Sequence, residues 1–137
     1  MIVGIGMDLC EIDRMRRAVE RPRFLERVFT EAEARRVREA SDIRRAEIAA
    51  GLFAAKEAVA KALGTGFAGF GPGDIEIIPD PAGRPVCALH GGALARLESL
   101  GASAPWVSIT HEKGMAGAVA VVERQQATGN RQQADSV

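Results

Sequence analysis

Leu52-Phe53-Ala54-Ala55-Lys56-Glu57-Ala58-Val59-Ala60-Lys61-Ala62-Leu63-Gly64-Thr65-Gly66 is the stretch around which this chain is organised. Alanine and leucine, the strongest helix formers, dominate it, and no proline interrupts it. Ile48, Leu52, Ala55, Val59 and Leu63 recur at spacings of three and four, an apolar stripe that faces a core. Glu57 and Lys61 stand four apart off that stripe, acid first, which is the favourable order for a surface ion pair. Gly64 and Gly66 close the helix, where a left-handed residue is wanted. Lys56 breaks the pattern. It lies on the flank of the stripe, four after Leu52 and three before Val59, so its ammonium has to snorkel to water or meet an anion.

Upstream, Ile2-Val3-Gly4-Ile5-Gly6-Met7-Asp8-Leu9 reads as a first strand, with Gly4 and Gly6 leaving two side-chain-free positions on one face. Another backbone or a ligand must approach that face closely. Asp8 falls at the strand's end, where a carboxylate serves either as a cap or turn residue or as a functional group. Ile12, Met15 and Val19 then predict an amphipathic helix from Glu11 to Glu20, stopped by Pro22. Thr30 with Glu33 forms a capping box for a helix through about Ala40, and Ser41-Asp42 caps the long helix.

Downstream, Phe67–Gly73 is a glycine-rich loop. Asp74–Ile78 and Val86–His90 read as strands joined by the turn-forming residues 79–85. Gly91–Leu100 is a short helix, and Trp106–His111 and Met115–Glu123 are two more strands around Glu112-Lys113-Gly114. Residues 1–124 make one domain, and the polar 125–137 segment is expected to be a disordered tail. The order β-α-α-α-β-β-α-β-β argues for an α+β fold with a mostly antiparallel sheet.

At 137 residues with 47% hydrophobic and 26% charged residues, the chain is of soluble globular composition, long enough for one core. Net charge is zero, yet eleven of the eighteen basic residues, all arginine, lie between Arg14 and Arg45. Residues 14–27 hold six arginines against Glu20 and Glu26, interleaved with Phe24, Leu25 and Val28. Arginine suits planar contact with carboxylates or phosphates, so this surface fits an acidic protein or a nucleic acid. Cys10 and Cys87 lack metal-ligand spacing and a disulfide-rich context and are read as reduced. The apolar run Ile2–Met7 is cut by Asp8, giving neither signal peptide nor membrane span, and a cytoplasmic location is expected. His90 reads as an ordinary structural histidine.

Asp8 and Glu57 are the two carboxylates that stand out. Mg²⁺ is usually held by one or two carboxylates plus water and substrate phosphates. Lys56 and Lys61 would then face phosphate oxygens, and the backbone amides of Gly64-Thr65-Gly66 would approach a pyrophosphate.

The chain resembles the bacterial holo-acyl-carrier-protein synthases, small 4′-phosphopantetheinyl transferases. Four segments carry the likeness in the family's order. They are Gly4-Ile5-Gly6-Met7-Asp8-Leu9-Cys10-Glu11-Ile12 with Arg14, Phe53-Ala54-Ala55-Lys56-Glu57-Ala58 with Lys61-Ala62-Leu63-Gly64-Thr65-Gly66, Gly83-Arg84-Pro85, and Val107-Ser108-Ile109-Thr110-His111. The resemblance implies the fold of that family, a mostly antiparallel sheet packed with a long central helix. It implies Asp8 and Glu57 as Mg²⁺ ligands, Lys61 as a phosphate-contacting lysine beside them, and His111 lining the coenzyme A site. It also implies that Arg14, with Arg23 and Phe24, docks the acidic acyl carrier protein, and Arg21 on the same arginine surface is expected to join them. The implied reaction moves phosphopantetheine from coenzyme A to a carrier serine and releases adenosine 3′,5′-bisphosphate, in a homotrimer with each site between neighbouring subunits. Many relatives carry arginine where this chain has Leu52, so any contact made by that arginine is absent here.

Two other functions compete. A nucleic-acid-binding module would use the arginine surface, but an aromatic share of 4% and the absence of tyrosine leave no stacking platform. A Mg²⁺-dependent nucleotide pyrophosphatase would use the same carboxylates and would consume coenzyme A without any carrier protein. No nucleic-acid or membrane partner is expected.

Overall fold

The computed structural model describes residues 1–124, so the expectation of a disordered tail at 125–137 falls outside the described residues. The elements are β1 (Ile2–Glu11), α1 (Ile12–Ala18), α2 (Pro22–Val28), α3 (Glu31–Glu39), α4 (Asp42–Ala62), a single 3₁₀ turn (Pro72–Asp74), β2 (Ile75–Pro79), β3 (Pro85–Leu89), α5 (Gly91–Ser99), β4 (Trp106–Glu112) and β5 (Met115–Glu123). The expected α+β class stands, with its strands in two ladders. One antiparallel sheet has the order β1-β5-β4, and β2-β3 forms a separate antiparallel hairpin.

α4 is the centre of the molecule. Its alanines at 49, 50, 54, 55, 58 and 60 are fully buried, as are Leu52 and Val59. The helix is thus enclosed on most sides, beyond the single stripe that the spacing predicts. Small residues on both surfaces allow this. Across β5, Ala116, Ala118 and Ala120 face inward and are buried, and on β1 the glycines take the closest approach. A Cβ on Gly4 would lie 1.8 Å from the Ala62 carbonyl oxygen, and one on Gly6 would lie 1.9 Å from that of Ala58. The partner those two glycines admit is therefore the α4 backbone.

Two boundaries differ from the sequence reading. β1 continues to Glu11, which makes Asp8 a strand residue paired with Ala118 and leaves the N-cap position of α1 to Glu11. Pro22 separates α1 from a helix that the spacing did not reveal. It occupies the first turn of α2, where its missing N–H costs nothing. The Thr30–Glu33 capping box forms as expected, with Glu33 N–H donating to Thr30 Oγ1 and Thr30 N–H donating to Glu33 Oε1 at 2.8 Å. Ser41 sits at the N-cap of α4, but its side chain makes no capping hydrogen bond.

Alternation along the sheet sends Ile5, Met7 and Leu9 of β1, Val119 of β5 and Trp106 of β4 to the face opposite α4. Ile5, Met7, Leu9 and Trp106 are between 57% and 66% exposed, an apolar face without a cover in the single chain. Among the described residues no helix is long and apolar enough to cross a membrane.

Candidate active site

Strand geometry delivers the first functional group. Gly4, Gly6 and Asp8 share the face of β1 that meets α4, and once the two glycines have seated the strand, Asp8 comes level with the next turn of the helix. There Lys61 Nζ donates to Asp8 Oδ1 at 3.1 Å and to the Met7 carbonyl at 3.0 Å. The ion pair read into the helix spacing thus forms elsewhere: Lys61 pairs with Asp8, and among the described residues Glu57 makes no ion pair within 4 Å. Glu57 lies one turn before Lys61 on the same side of α4. Burial raises its proton affinity, the Asp8 charge raises it further, and Lys61 opposes both. Two carboxylates and one ammonium, from segments 49 residues apart in sequence, therefore share one surface cluster. Cys10 lies beside it. Burial holds its thiol above the usual range, while the Arg14 guanidinium acts in the opposite direction, so Arg14 is close to this cluster as well.

Lys56 is not part of the cluster, which corrects the expectation that it faces substrate phosphate. Its side chain is 1% exposed, and its ammonium meets the fully buried Glu33 at 2.7 Å. It also donates to the carbonyls of Pro72, at 2.8 Å, and Ile75. Glu33 Oε2 in turn accepts the Ile77 N–H at 2.9 Å. The anion that the flank position demanded is thus the same glutamate that caps α3, and the pair ties α3, α4 and the start of β2 together. Its donors are saturated by protein. Cys87 is buried beside the pair, its thiol pushed up to about 12 by burial.

The Gly64-Thr65-Gly66 turn also departs from its expected role. Gly64 N–H donates to the Lys61 carbonyl at 3.0 Å, and Gly66 N–H donates to that of Ala60 at 3.2 Å. Both glycines have positive φ, 82° and 58°, as a helix C-terminal cap requires. Those two amides are spent on the helix, and Thr65 Oγ1 donates to the Gly66 carbonyl at 3.0 Å. A helix C-terminus carries partial negative charge, which Arg96 offsets by donating Nε–H to the Leu63 carbonyl at 2.9 Å.

His111 stands apart from the carboxylates. It is level with Cys10 across the intervening strand β5, two strand spacings or roughly 10 Å away. It opens onto a cavity of about 200 Å³ whose wall includes Arg36, Arg44, Glu47, Leu52 and Pro85. Leu52 and Glu57 are five residues apart on α4, which turns them about 140° from each other. The Asp8 cluster and the His111 cavity thus lie on different sides of the central helix. Sequence reading missed Arg36 and Arg44. They sit on separate helices, and no local spacing signals that their side chains share a cleft.

On the arginine surface, Arg14, Arg21 and Arg23 are exposed. Of the six arginines from 14 to 27, Arg16 alone forms an ion pair among the described residues, with Asp13. Phe24 is half-buried, packed at 6.1 Å from the Phe29 ring and 6.3 Å from that of Phe53, so it is chiefly a packing residue rather than a free anchor.

The chain is similar to known proteins. The family model of the 4′-phosphopantetheinyl transferase superfamily matches residues 4–120. A holo-[acyl-carrier-protein] synthase of Solidesulfovibrio magneticus is 51% identical over 126 residues, covering 90% of this chain and 99% of its own. One from Clostridium acetobutylicum is 43% identical over 124 residues, covering 90% and 98%. Among solved structures, the Bacillus anthracis holo-(acyl-carrier-protein) synthase in complex with CoA (3′,5′-ADP) is similar with a TM-score of 0.78 at 35% identity, over 91% of this chain and 99% of that one. The Neisseria meningitidis holo-[acyl-carrier-protein] synthase gives 0.80 at 34% identity, over 90% and 100%.

Proposed function

This chain belongs to the 4′-phosphopantetheinyl transferase superfamily, and from that premise we propose that it works as a holo-acyl-carrier-protein synthase. It moves the 4′-phosphopantetheine group of coenzyme A to a serine hydroxyl of an apo acyl carrier protein and releases adenosine 3′,5′-bisphosphate. The observation that carries this reading is the gathering of Asp8, Glu57 and Lys61 from β1 and α4 into one surface cluster.

Mg²⁺ fits the donor set. The carboxylates offer oxygen only, and among the described residues no group of three or more His, Cys, Asp and Glu forms a protein cage for a metal. One or two carboxylates completed by water and phosphate oxygens suit this ion. The raised proton affinity of Glu57 reflects, after burial, a like charge held close by, the condition a cation relieves. Asp8 and Glu57 would hold the ion, whose charge would offset that building on the pyrophosphate.

The protein's own groups do the rest. Lys61 spends two donors on Met7 and Asp8, which fixes the Asp8 carboxylate and leaves a third N–H for a phosphate oxygen. The serine oxygen attacks in line at the phosphorus nearer the pantetheine arm, and the bond to the bridging oxygen breaks toward the nucleotide. The released serine proton passes to a base at this cluster, either Glu57 or a water beside it.

The active species is a homotrimer, with each site between neighbouring subunits. Two observations support it: the uncovered apolar sheet face, and the separation of the Asp8 cluster from the His111 cavity within one chain. Arg14, Arg21 and Arg23 dock the acidic carrier, since they are exposed without an ion pair among the described residues. Complementary charge would speed encounter more than it tightens the complex. The free, buried cysteines suit a reducing cytoplasm.

Intact mass of an apo carrier protein, after incubation with coenzyme A, Mg²⁺ and this chain, tests the reaction. A gain of one phosphopantetheine unit is expected. Consumption of coenzyme A with no carrier present would make the chain a pyrophosphatase instead.

A further inference from the structure

The glycine-rich segment 67–73 follows the Gly64–Gly66 cap, and its course is set by what holds it at either end. It leaves α4 where Gly66 N–H meets the Ala60 carbonyl. It returns to the same helix one turn earlier, where Lys56 Nζ donates to the Pro72 carbonyl at 2.8 Å and to that of Ile75. Lys56 and Ala60 are four apart and so share one side of α4. Glu57 points about 100° round the helix from Lys56, and Ala58, against which Gly6 seats β1, about 100° further on. Glu57 therefore has β1 with Asp8 on one flank and segment 67–73 on the other. On its far side the segment rests on the start of α5. A Cβ on Gly92 would lie 2.3 Å from the Gly69 carbonyl oxygen and 3.0 Å from Phe70 Cβ. Phe67 and Phe70 pack edge to face within the segment, their ring centroids 5.9 Å apart.

Three glycines in seven residues, Gly69, Gly71 and Gly73, give this segment much backbone freedom to lose. Among the described residues Lys56 is the one side chain that hydrogen-bonds it, and its own backbone adds only local turn bonds. Stability alone does not require the buried Lys56–Glu33 pair, because apolar side chains of similar volume commonly serve as well. The ammonium does what they cannot: the two N–H groups not spent on Glu33 hold two carbonyls at the segment's exit. We propose that Lys56 is a positioning residue for the transfer, holding segment 67–73 as the wall of the site that faces Asp8 across Glu57. Lys56 itself touches no substrate. The wall it holds keeps water off that flank of the cluster and keeps the reacting groups in line. The proposal rests on the transfer reading above.

Amide hydrogen exchange and steady-state transfer kinetics of the full chain test this, with thermal melts to show that each variant is folded. Lys56→Met combined with Glu33→Gln removes the tether and both buried charges. It should speed exchange across residues 67–73 and lower kcat at least about tenfold, as a misplaced wall would. Glu33→Gln alone leaves Lys56 buried without a counter-ion, so the ammonium sheds its proton. The resulting amine still has two N–H groups for the Pro72 and Ile75 carbonyls. That variant should melt below wild type yet keep wild-type kcat and wild-type exchange at 67–73. A pair that served stability alone would lower the rate in step with Tm instead. Gly92→Ala pushes on Gly69 and Phe70 from α5, leaves the buried pair intact, and should also lower kcat. Wild-type kcat in the double variant or in Gly92→Ala, or rates that follow Tm across the set, overturns the proposal. If the double variant does not fold, Gly92→Ala and Glu33→Gln decide. If wild type modifies no carrier, the parent reading fails, and exchange still decides Lys56. Unchanged protection in the double variant would then overturn the tether, and a loss confined to 67–73 would uphold it.

Discussion

Gly6→Ala probes the contact that brings Asp8 to Glu57. The added Cβ would stand 1.9 Å from the Ala58 carbonyl oxygen and 2.8 Å from the Ala62 nitrogen, both backbone atoms of α4 that no rotamer change can move. Ordinary contact begins near 3.4 Å, so β1 must retreat from the helix by about 1.5 Å. Overpacking of this kind costs about 1–3 kcal/mol, and a clash with backbone belongs at the upper end. A domain that starts with about 5–15 kcal/mol of stability remains folded at 25 °C, with Tm lowered by roughly 10 °C. Asp8, two residues on and on the same face, moves with the strand. A displacement of about 1 Å in a positioned group costs on the order of 10²-fold in rate. Gly4→Ala meets the Ala62 carbonyl at 1.8 Å but lies twice as far along β1 from Asp8, so it should cost similar stability and less activity. Gly71→Ala is the control, because its Cβ meets nothing within 4 Å and its φ of −112° suits alanine. Thermal melts monitored by circular dichroism, with transfer followed by carrier mass at 25 °C, read both effects. Gly6→Ala with wild-type Tm, or with a rate no lower than that of Gly4→Ala at equal stability loss, would refute the reasoning.

Glu57→Gln should keep the fold and reduce transfer at least about 10²-fold, since it removes a charge that holds Mg²⁺. Because the folded state raises the Glu57 proton affinity, ionising it costs stability as pH climbs through the folded value. The variant should therefore melt above wild type at neutral pH, with the gap closing below the ordinary carboxylate range. Lys56→Ala leaves Glu33 charged and buried with no counter-ion, and chemical denaturation should show a loss of about 3–5 kcal/mol. Adding Glu33→Gln should cost less than the two single changes summed. Leu9→Glu puts a charge on the exposed apolar sheet face, and sedimentation should then show a monomer with little activity; a fully active monomer at assay concentration would sink the trimer. Arg14→Glu, Arg21→Glu and Arg23→Glu together should raise KM for the carrier severalfold or more, and far more than KM for coenzyme A, with a flatter salt dependence than wild type. Equal losses on both substrates would move carrier docking elsewhere, and Arg14 carries the most risk because it lies beside Cys10 and the carboxylates.

Periodicity alone was enough to make residues 42–63 a helix and to place Thr30 and Glu33 as its neighbour's cap, because both signals are local and repeat within one or two turns. It also found two glycines that demanded a close partner, and a lysine that demanded an anion. Which partner and which anion were decided only by packing. Gly4 and Gly6 meet the α4 backbone, and Lys56 meets Glu33, 23 residues upstream on another helix. The same limit applies to Lys61. Its i,i+4 spacing to Glu57 allowed one ion pair, but a strand 53 residues away supplied a better acceptor in Asp8. Gly64 and Gly66 show the converse. Their amides were legible as donors, yet the helix end that precedes them claims both before any ligand can. Arg36 and Arg44 were legible only as members of the arginine run, since the cleft they share exists only once α3 and α4 are packed. Local sequence sets which conformations and charges each segment offers. The competition among distant partners for those charges is settled by the tertiary structure, because burial makes every unpaired one costly.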